Sequence, residues 1–164
     1  MSYKKIGGGV GLYIDSTIDY KVCADVSFVS DSIECIFVEL PQKSSSTVVV
    51  GCVYRPPNTD VSVFNTKLLT ILNKLESKKS RPTLIAGDFN LDLLKSEVHA
   101  PTGEFLNSLT SHSFMPTTFY STRITGNSAT LIDNIFSIAF HINMTQLLYT
   151  VTFQTICQLR YILT

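Results

Sequence analysis

Thr-Val-Val-Val-Gly-Cys-Val-Tyr at residues 47–54, a helical stripe over residues 61–78, and Pro-Thr-Leu-Ile-Ala at residues 82–86 follow one another, and that order decides the fold. The first run is rich in valine, a strand former, and Pro56-Pro57 ends it because proline donates no ladder hydrogen bond. The period then changes. Val61, Phe64, Leu68, Leu69, Ile71, Leu72 and Leu75 form one apolar stripe at helical spacing, with Asn58, Thr59 and Asp60 ahead of it as candidate caps. Residues 82–86 are short and apolar, as a fully buried strand is. Strand, helix, strand is the βαβ signature of an α/β layer fold.

Working outward, Ser44-Ser45-Ser46 marks a turn, so residues 33–40, apolar on both faces, pair with residues 47–54 as a hairpin. Gly7-Gly8-Gly9 leads into a short strand at residues 10–14. A second helix is predicted over residues 102–111, with Phe105, Leu106 and Leu109 as its stripe. A further strand is predicted over residues 129–138 through Leu131, Ile132, Ile135 and Phe136. No internal repeat or linker interrupts the chain, but from Phe140 onward neither Gly nor Pro occurs and the apolar period is lost.

At 164 residues the chain fits one domain, since single cores form at roughly 100 to 200 residues. Apolar residues make up 45% and charged residues 16%, which excludes a disordered chain. Lysine and arginine number 13 against 13 acids, so net charge neither supports nor excludes nucleic acid as a partner. Cys23, Cys35, Cys52 and Cys157 form no C-x-x-C pair, and two lie in strand-like runs, which points to buried thiols in a reducing compartment. The first residues lack a signal-peptide core and no stretch approaches 18 apolar residues. The expectation is an intracellular protein with no membrane partner.

Three segments could carry chemistry. Gly87-Asp88-Phe89-Asn90 follows a buried strand directly, placing a carboxylate and an amide at a strand's C-terminal end, where α/β folds gather ligands. Asp88 could take a proton from water while Asn90 donates to a phosphate oxygen; the plain alternative is a turn, built from the usual turn residues. Tyr54-Arg55-Pro56-Pro57 offers a phenol and a phosphate-pairing guanidinium, or simply a packed strand end. Asp133 sits in the apolar run Ile132-Asp133-Asn134-Ile135-Phe136, where a charge requires a partner, catalytic or structural.

Together these segments resemble the endonuclease/exonuclease/phosphatase superfamily, in the form carried by LINE-type (non-LTR) retrotransposon polyproteins. The resemblance covers residues 7 to roughly 150. It runs through Gly-Gly-Gly-Val-Gly-Leu-Tyr-Ile at 7–14, the strand at 33–40, Val-Gly-Cys-Val-Tyr-Arg-Pro-Pro at 50–57 and Ile-Ala-Gly-Asp-Phe-Asn at 85–90. Ser-Thr-Arg-Ile-Thr at 121–125 and Thr-Leu-Ile-Asp-Asn-Ile-Phe at 130–136 complete it. It implies a four-layer α/β sandwich of two packed β-sheets flanked by helices, and Mg²⁺-assisted hydrolysis of a phosphodiester. Tyr54 would then lie near the scissile phosphate, Asp88 would orient or deprotonate the water, and Asn90 would bind the phosphate. Asp133 would match the acid that holds the family's catalytic histidine. Arg55, Thr122 and Arg123 would lie against the DNA, although Arg123 equally suits a solvated surface charge. The implied partners are DNA and a reverse transcriptase domain in the parent polyprotein, in the nucleus.

The resemblance also implies gaps. In the family, an asparagine and a metal-binding glutamate precede the triple glycine, and a Ser-Asp-His motif closes the domain. Glu34 and Glu39 match positions not used as metal ligands, and His99, His112 and His141 all precede the expected histidine. The expectation is a partial sandwich, residues 1–150, without the N-terminal strands and C-terminal motif. Residues 151–164 read as an out-of-frame tail. If residues 151–159 were encoded GTG ACA TTT CAG ACC ATC TGC CAA TTG, reading two nucleotides later gives Asp-Ile-Ser-Asp-His-Leu-Pro-Ile, which suits a frameshift at about Thr150. Each missing group of this kind costs about a hundredfold to a thousandfold in rate, so near-background activity is expected. The alternatives are a non-catalytic remnant or binding module and, ranked lower, a phosphatase of the same superfamily.

Overall fold

The structure, a computed structural model, describes residues 9–41, 47–77 and 81–138. The turn at residues 44–46, Gly7, Gly8, His141, Cys157 and the proposed frameshift tail lie outside the described residues.

Strands β1 (Lys21–Val22), β2 (Phe28–Val29), β3 (Glu34–Pro41) and β4 (Thr47–Tyr54) come first, then helix α1 (Val61–Ser77) and strand β5 (Thr83–Asp88). A single 3-10 turn at Leu93–Lys95 precedes α2 (Ala100–Ser111), and β6 (Met115–Pro116), β7 (Arg123–Thr125), β8 (Ser128–Thr130) and β9 (Asp133–Ser137) complete the set. The main sheet runs β1-β3-β4-β5-β9-β6, with β2 also on β3, and β7-β8 form a second, small sheet. Mixed α/β architecture with helices flanking the main sheet is therefore observed, the second sheet being a two-stranded ribbon among the described residues.

The deciding unit is as read. β3 and β4 pair antiparallel, and β4 and β5 pair parallel across α1. Asp60 caps α1, its Oδ1 accepting the N–H groups of Ser62 and Val63 at 2.7 and 3.2 Å. Helix α1 buries Phe64, Leu68, Ile71, Leu72 and Leu75, whereas Leu69, counted in the stripe from sequence, is exposed one residue off the packed face. Phe89, Phe105 and Phe136 stack edge to face or tilted at centroid distances of 5.0 to 5.8 Å, closing the core between helices and sheet. A second core on the opposite sheet face joins Val38, Leu40, Val48, Val50 and Leu84 to Leu12, Ile14, Ile18 and Ile135.

Two expectations need correction. Residues 10–14 form no strand; Leu12 and Ile14 pack on the second sheet face as irregular chain, so their burial mimicked a strand without a ladder. The strand expected over residues 129–138 is two strands, interrupted at Leu131 and Ile132. The Leu131 N–H donates to Asp92 Oδ1 at 3.0 Å, and the Ile132 carbonyl accepts from Phe89 N at 2.9 Å, so neither group is available to a ladder.

Candidate active site

The register of the main sheet builds the site. Glu34 stands opposite Tyr54, Tyr54 opposite Asp88, and Asp88 opposite Asp133, across β3, β4, β5 and β9. Residues paired in register point to one face. Each of the four is an even number of residues from a member of the second core (Val38, Val50, Leu84, Ile135), so the row lies on the face opposite α1 and α2. It sits at the C-terminal ends of the parallel pair β4-β5, where α/β sheets collect ligands.

Gly87 is a strand residue with a steric reason to be glycine. A Cβ there would come 1.9 Å from the Val53 carbonyl oxygen, so any side chain would push β5 away from β4 and break the Tyr54–Asp88 pairing. Asp88 and Phe89 then alternate, the carboxylate to the row and the ring to the core. Asn90 ends the turn in the left-handed conformation, at φ 47°, which asparagine tolerates better than most residues. Its N–H donates to Asp88 Oδ1 at 2.9 Å and its side-chain amide donates to the Arg55 carbonyl at 2.8 Å.

Asp88 is buried, and burial pushes its carboxyl up to about 6; the neighbouring Asp133 carboxylate adds to this, while the Asn90 N–H and the charges of Arg123 and Arg55 oppose it. At neutral pH Asp88 is ionised yet close to its protonation point, the condition a general base needs. Asp133 is half-buried on the adjoining strand, and Arg123, exposed on β7, is the cation whose charge reaches Asp88 from the ribbon.

Arg55 is placed differently from the phosphate-facing position that the sequence suggested. Its side chain is buried, with Nε donating to the Phe89 carbonyl at 2.8 Å and Nη2 to the Asn90 carbonyl at 2.6 Å. Its Nη1 donates to the Thr59 carbonyl and hydroxyl at 2.9 and 3.1 Å. With one of five N–H donors left over, the guanidinium braces the Gly-Asp-Phe-Asn turn and faces inward. Burial lowers its pKa, with Asp88 and Tyr54 opposing. Thr122 likewise serves the scaffold, its hydroxyl accepting the N–H groups of Ile132 and Asp133 at 3.3 and 3.2 Å.

Sequence reasoning missed Asp92 and Asn134. Asp92 Oδ1 fixes Leu131, and Asn134 clasps Thr118 by accepting its N–H at 3.3 Å and donating to its carbonyl at 2.8 Å. Asn134 adjoins Asp133 in a motif already singled out, and a buried amide in an apolar strand was the available signal. Glu39 is paired with Arg81 at 2.6 Å, and His99 and His112 hold their own helix ends. Among the described residues no three His, Cys, Asp or Glu side chains converge as a metal cluster. Asp88 and Asp133 alone do not make a magnesium site, which needs near-octahedral oxygen donors.

The sheet lines up three acids and a phenol at its strand ends, a row with acid–base capacity at the place where α/β sheets collect ligands. The particular family follows from the sequence: residues 2–137 match the endonuclease/exonuclease/phosphatase family, and the chain belongs to it. Among solved structures it is similar to the endonuclease domain of TRAS1, a telomere-specific non-LTR retrotransposon, at 14% identity and TM-score 0.57, covering 74% of this chain and 54% of that one. It is also similar to the human Nocturnin catalytic domain with bound sulfate anion, at 13% identity and TM-score 0.50, covering 72% and 48%. At these identities the likeness shows the fold, and the chain spans about half the length of either structure. No curated protein sequence matches it. Among the described residues no helix is long and apolar enough to cross a membrane.

Proposed function

We propose that Tyr54, Asp88, Asn90 and Asp133 form the phosphate-handling part of a phosphodiester hydrolase that cuts DNA, the endonuclease domain of a retrotransposon polyprotein that also carries reverse transcriptase. The observation that carries this reading is the in-register row Tyr54–Asp88–Asp133, closed by the Asn90 turn. Asp88 accepts the proton of the attacking water, the Asn90 amide keeps an N–H for a phosphate oxygen, and Arg123 offsets the charge of the row at its rim. The magnesium that the family resemblance implies has an incomplete ligand set among the described residues.

The same incompleteness favours a second reading, a non-catalytic binding module. Purified protein incubated with supercoiled plasmid and Mg²⁺ separates the two. The hydrolase reading expects slow, Mg²⁺-dependent conversion to the open-circular form, reduced about a hundredfold or more in Asp88→Ala. Folded protein that gives no open-circular product at micromolar concentration sinks the hydrolase and leaves the binding module.

A further inference from the structure

The short segment between β6 and β7 is held at both ends by the strand that carries Asp133. On one side Thr118 is clasped by Asn134, and on the other the Thr122 hydroxyl takes the N–H of Asp133. The three residues between are Phe119, Tyr120 and Ser121, and the two rings are 68% and 85% exposed. Burying a phenylalanine gains about 1.5–3 kcal/mol, and six other phenylalanines among the described residues are fully buried. Two successive aromatics are thus presented to solvent by a loop whose anchors are adjacent residues of the site strand. Arg123, the cation that acts on Asp88, lies three residues after Tyr120. A net charge of zero gives no blanket attraction for a polyanion, so affinity has to come from local contacts such as these.

Exposed aromatic rings beside a cation are the chemistry that holds unpaired nucleotides, because every base offers a π-face and the cation takes the phosphate. A continuous duplex stacks its bases on each other and leaves no such face. We infer that Phe119 and Tyr120 are a stacking platform for an unpaired nucleotide beside the scissile phosphate. The protein therefore binds single-stranded, gapped or flapped DNA in preference to intact duplex. This rests on the reading that the Tyr54–Asp88–Asp133 row handles a backbone phosphate.

The test is equilibrium binding, which needs no hydrolysis, read by fluorescence anisotropy with the full 164-residue chain. The probes are a labelled oligothymidylate of roughly 12 nucleotides, within the span one binding fold covers, and a loop-free blunt duplex of about the same length, whose greater charge works against the expected preference. The expected result is tighter binding of the single strand, weakened about tenfold by Phe119→Ala and by Tyr120→Ala, with duplex affinity changed less than about twofold and Tyr120→Phe restoring single-strand binding. Both rings are exposed, so circular dichroism of the variants should match the parent. Equal affinity for the two probes, no binding of the oligothymidylate, or alanine variants that bind as the parent does would each overturn the platform. The two readings fail separately. Loss of plasmid nicking in Asp88→Ala with unchanged single-strand binding in the ring variants sinks only the platform, and the converse pattern sinks only the hydrolase.

Discussion

Asp88 gathers several of the forces acting on the site into one measurable quantity. Its carboxyl titrates near 6 in the fold against 3.8 ordinarily, so the unfolded chain releases its proton first as pH rises. The stability that Asp88 contributes is therefore complete below about pH 4 and lost between about pH 4 and 6, leaving a buried charge above. Asp88→Asn is expected to stabilise the protein at pH 7 by about 1–3 kcal/mol, with no gain at pH 4, in urea denaturation with a chelator present. Equal midpoints at pH 7 would contradict the burial. On the proposed hydrolase reading the catalytic consequence has the opposite sign: nicking should rise about tenfold per pH unit below about 6 and level off above it. Asp88 and Asn90 were legible in the sequence because strand ends announce themselves. Arg55 was legible as a cation but not in its direction, since its acceptors are mostly carbonyls that no side-chain pattern reveals. Arg55→Lys, which keeps charge but not the fork, should cost about 1–3 kcal/mol and shift the Asn90 amide resonance. A lysine variant as stable as the parent would refute the brace.

Among the elements, β5 is held to β4 at a distance that Gly87 alone permits. Gly87→Ala is expected to destabilise by about 1–3 kcal/mol in thermal or urea unfolding, through overpacking against the Val53 carbonyl. A neutral substitution would mean that the strands can separate freely. The helices, their cap and the β3-β4 hairpin were readable because each obeys its own period. The boundary between β8 and β9 was not readable, because Leu131 and Ile132 are as buried as strand residues while their backbone groups bond to Asp92 and Phe89. Hydrophobic periodicity reports burial and is silent about which backbone is paired.

For the molecule as a whole, the site is an expression of sheet register. A slip of one residue between β4 and β5 would turn Asp88 toward the helices and Phe89 toward the second face, exchanging acid for core. The same packing seals two thiols: burial pushes Cys35 and Cys52 up to about 11, so both should resist an aromatic disulfide reagent at pH 8 and label only on unfolding, as peptide mass spectrometry will read. Labelling of either in the native state would show that the sheet faces open. The layer order was legible from the βαβ unit. The exposed pair Phe119–Tyr120 was not, because an aromatic in sequence is read as core until coordinates show it outside.

The Arg55 brace has a consequence for engineering and for descent. The segments 54–59 and 88–90 lie on opposite sides of a helix in the gene yet interlock, chiefly through the Arg55 side chain with the Asn90 amide returning to the Arg55 carbonyl, so they form a single exchangeable cassette. A hybrid with its crossover inside α1 would keep both segments intact and still fail wherever its two parents disagree about the residue at position 55.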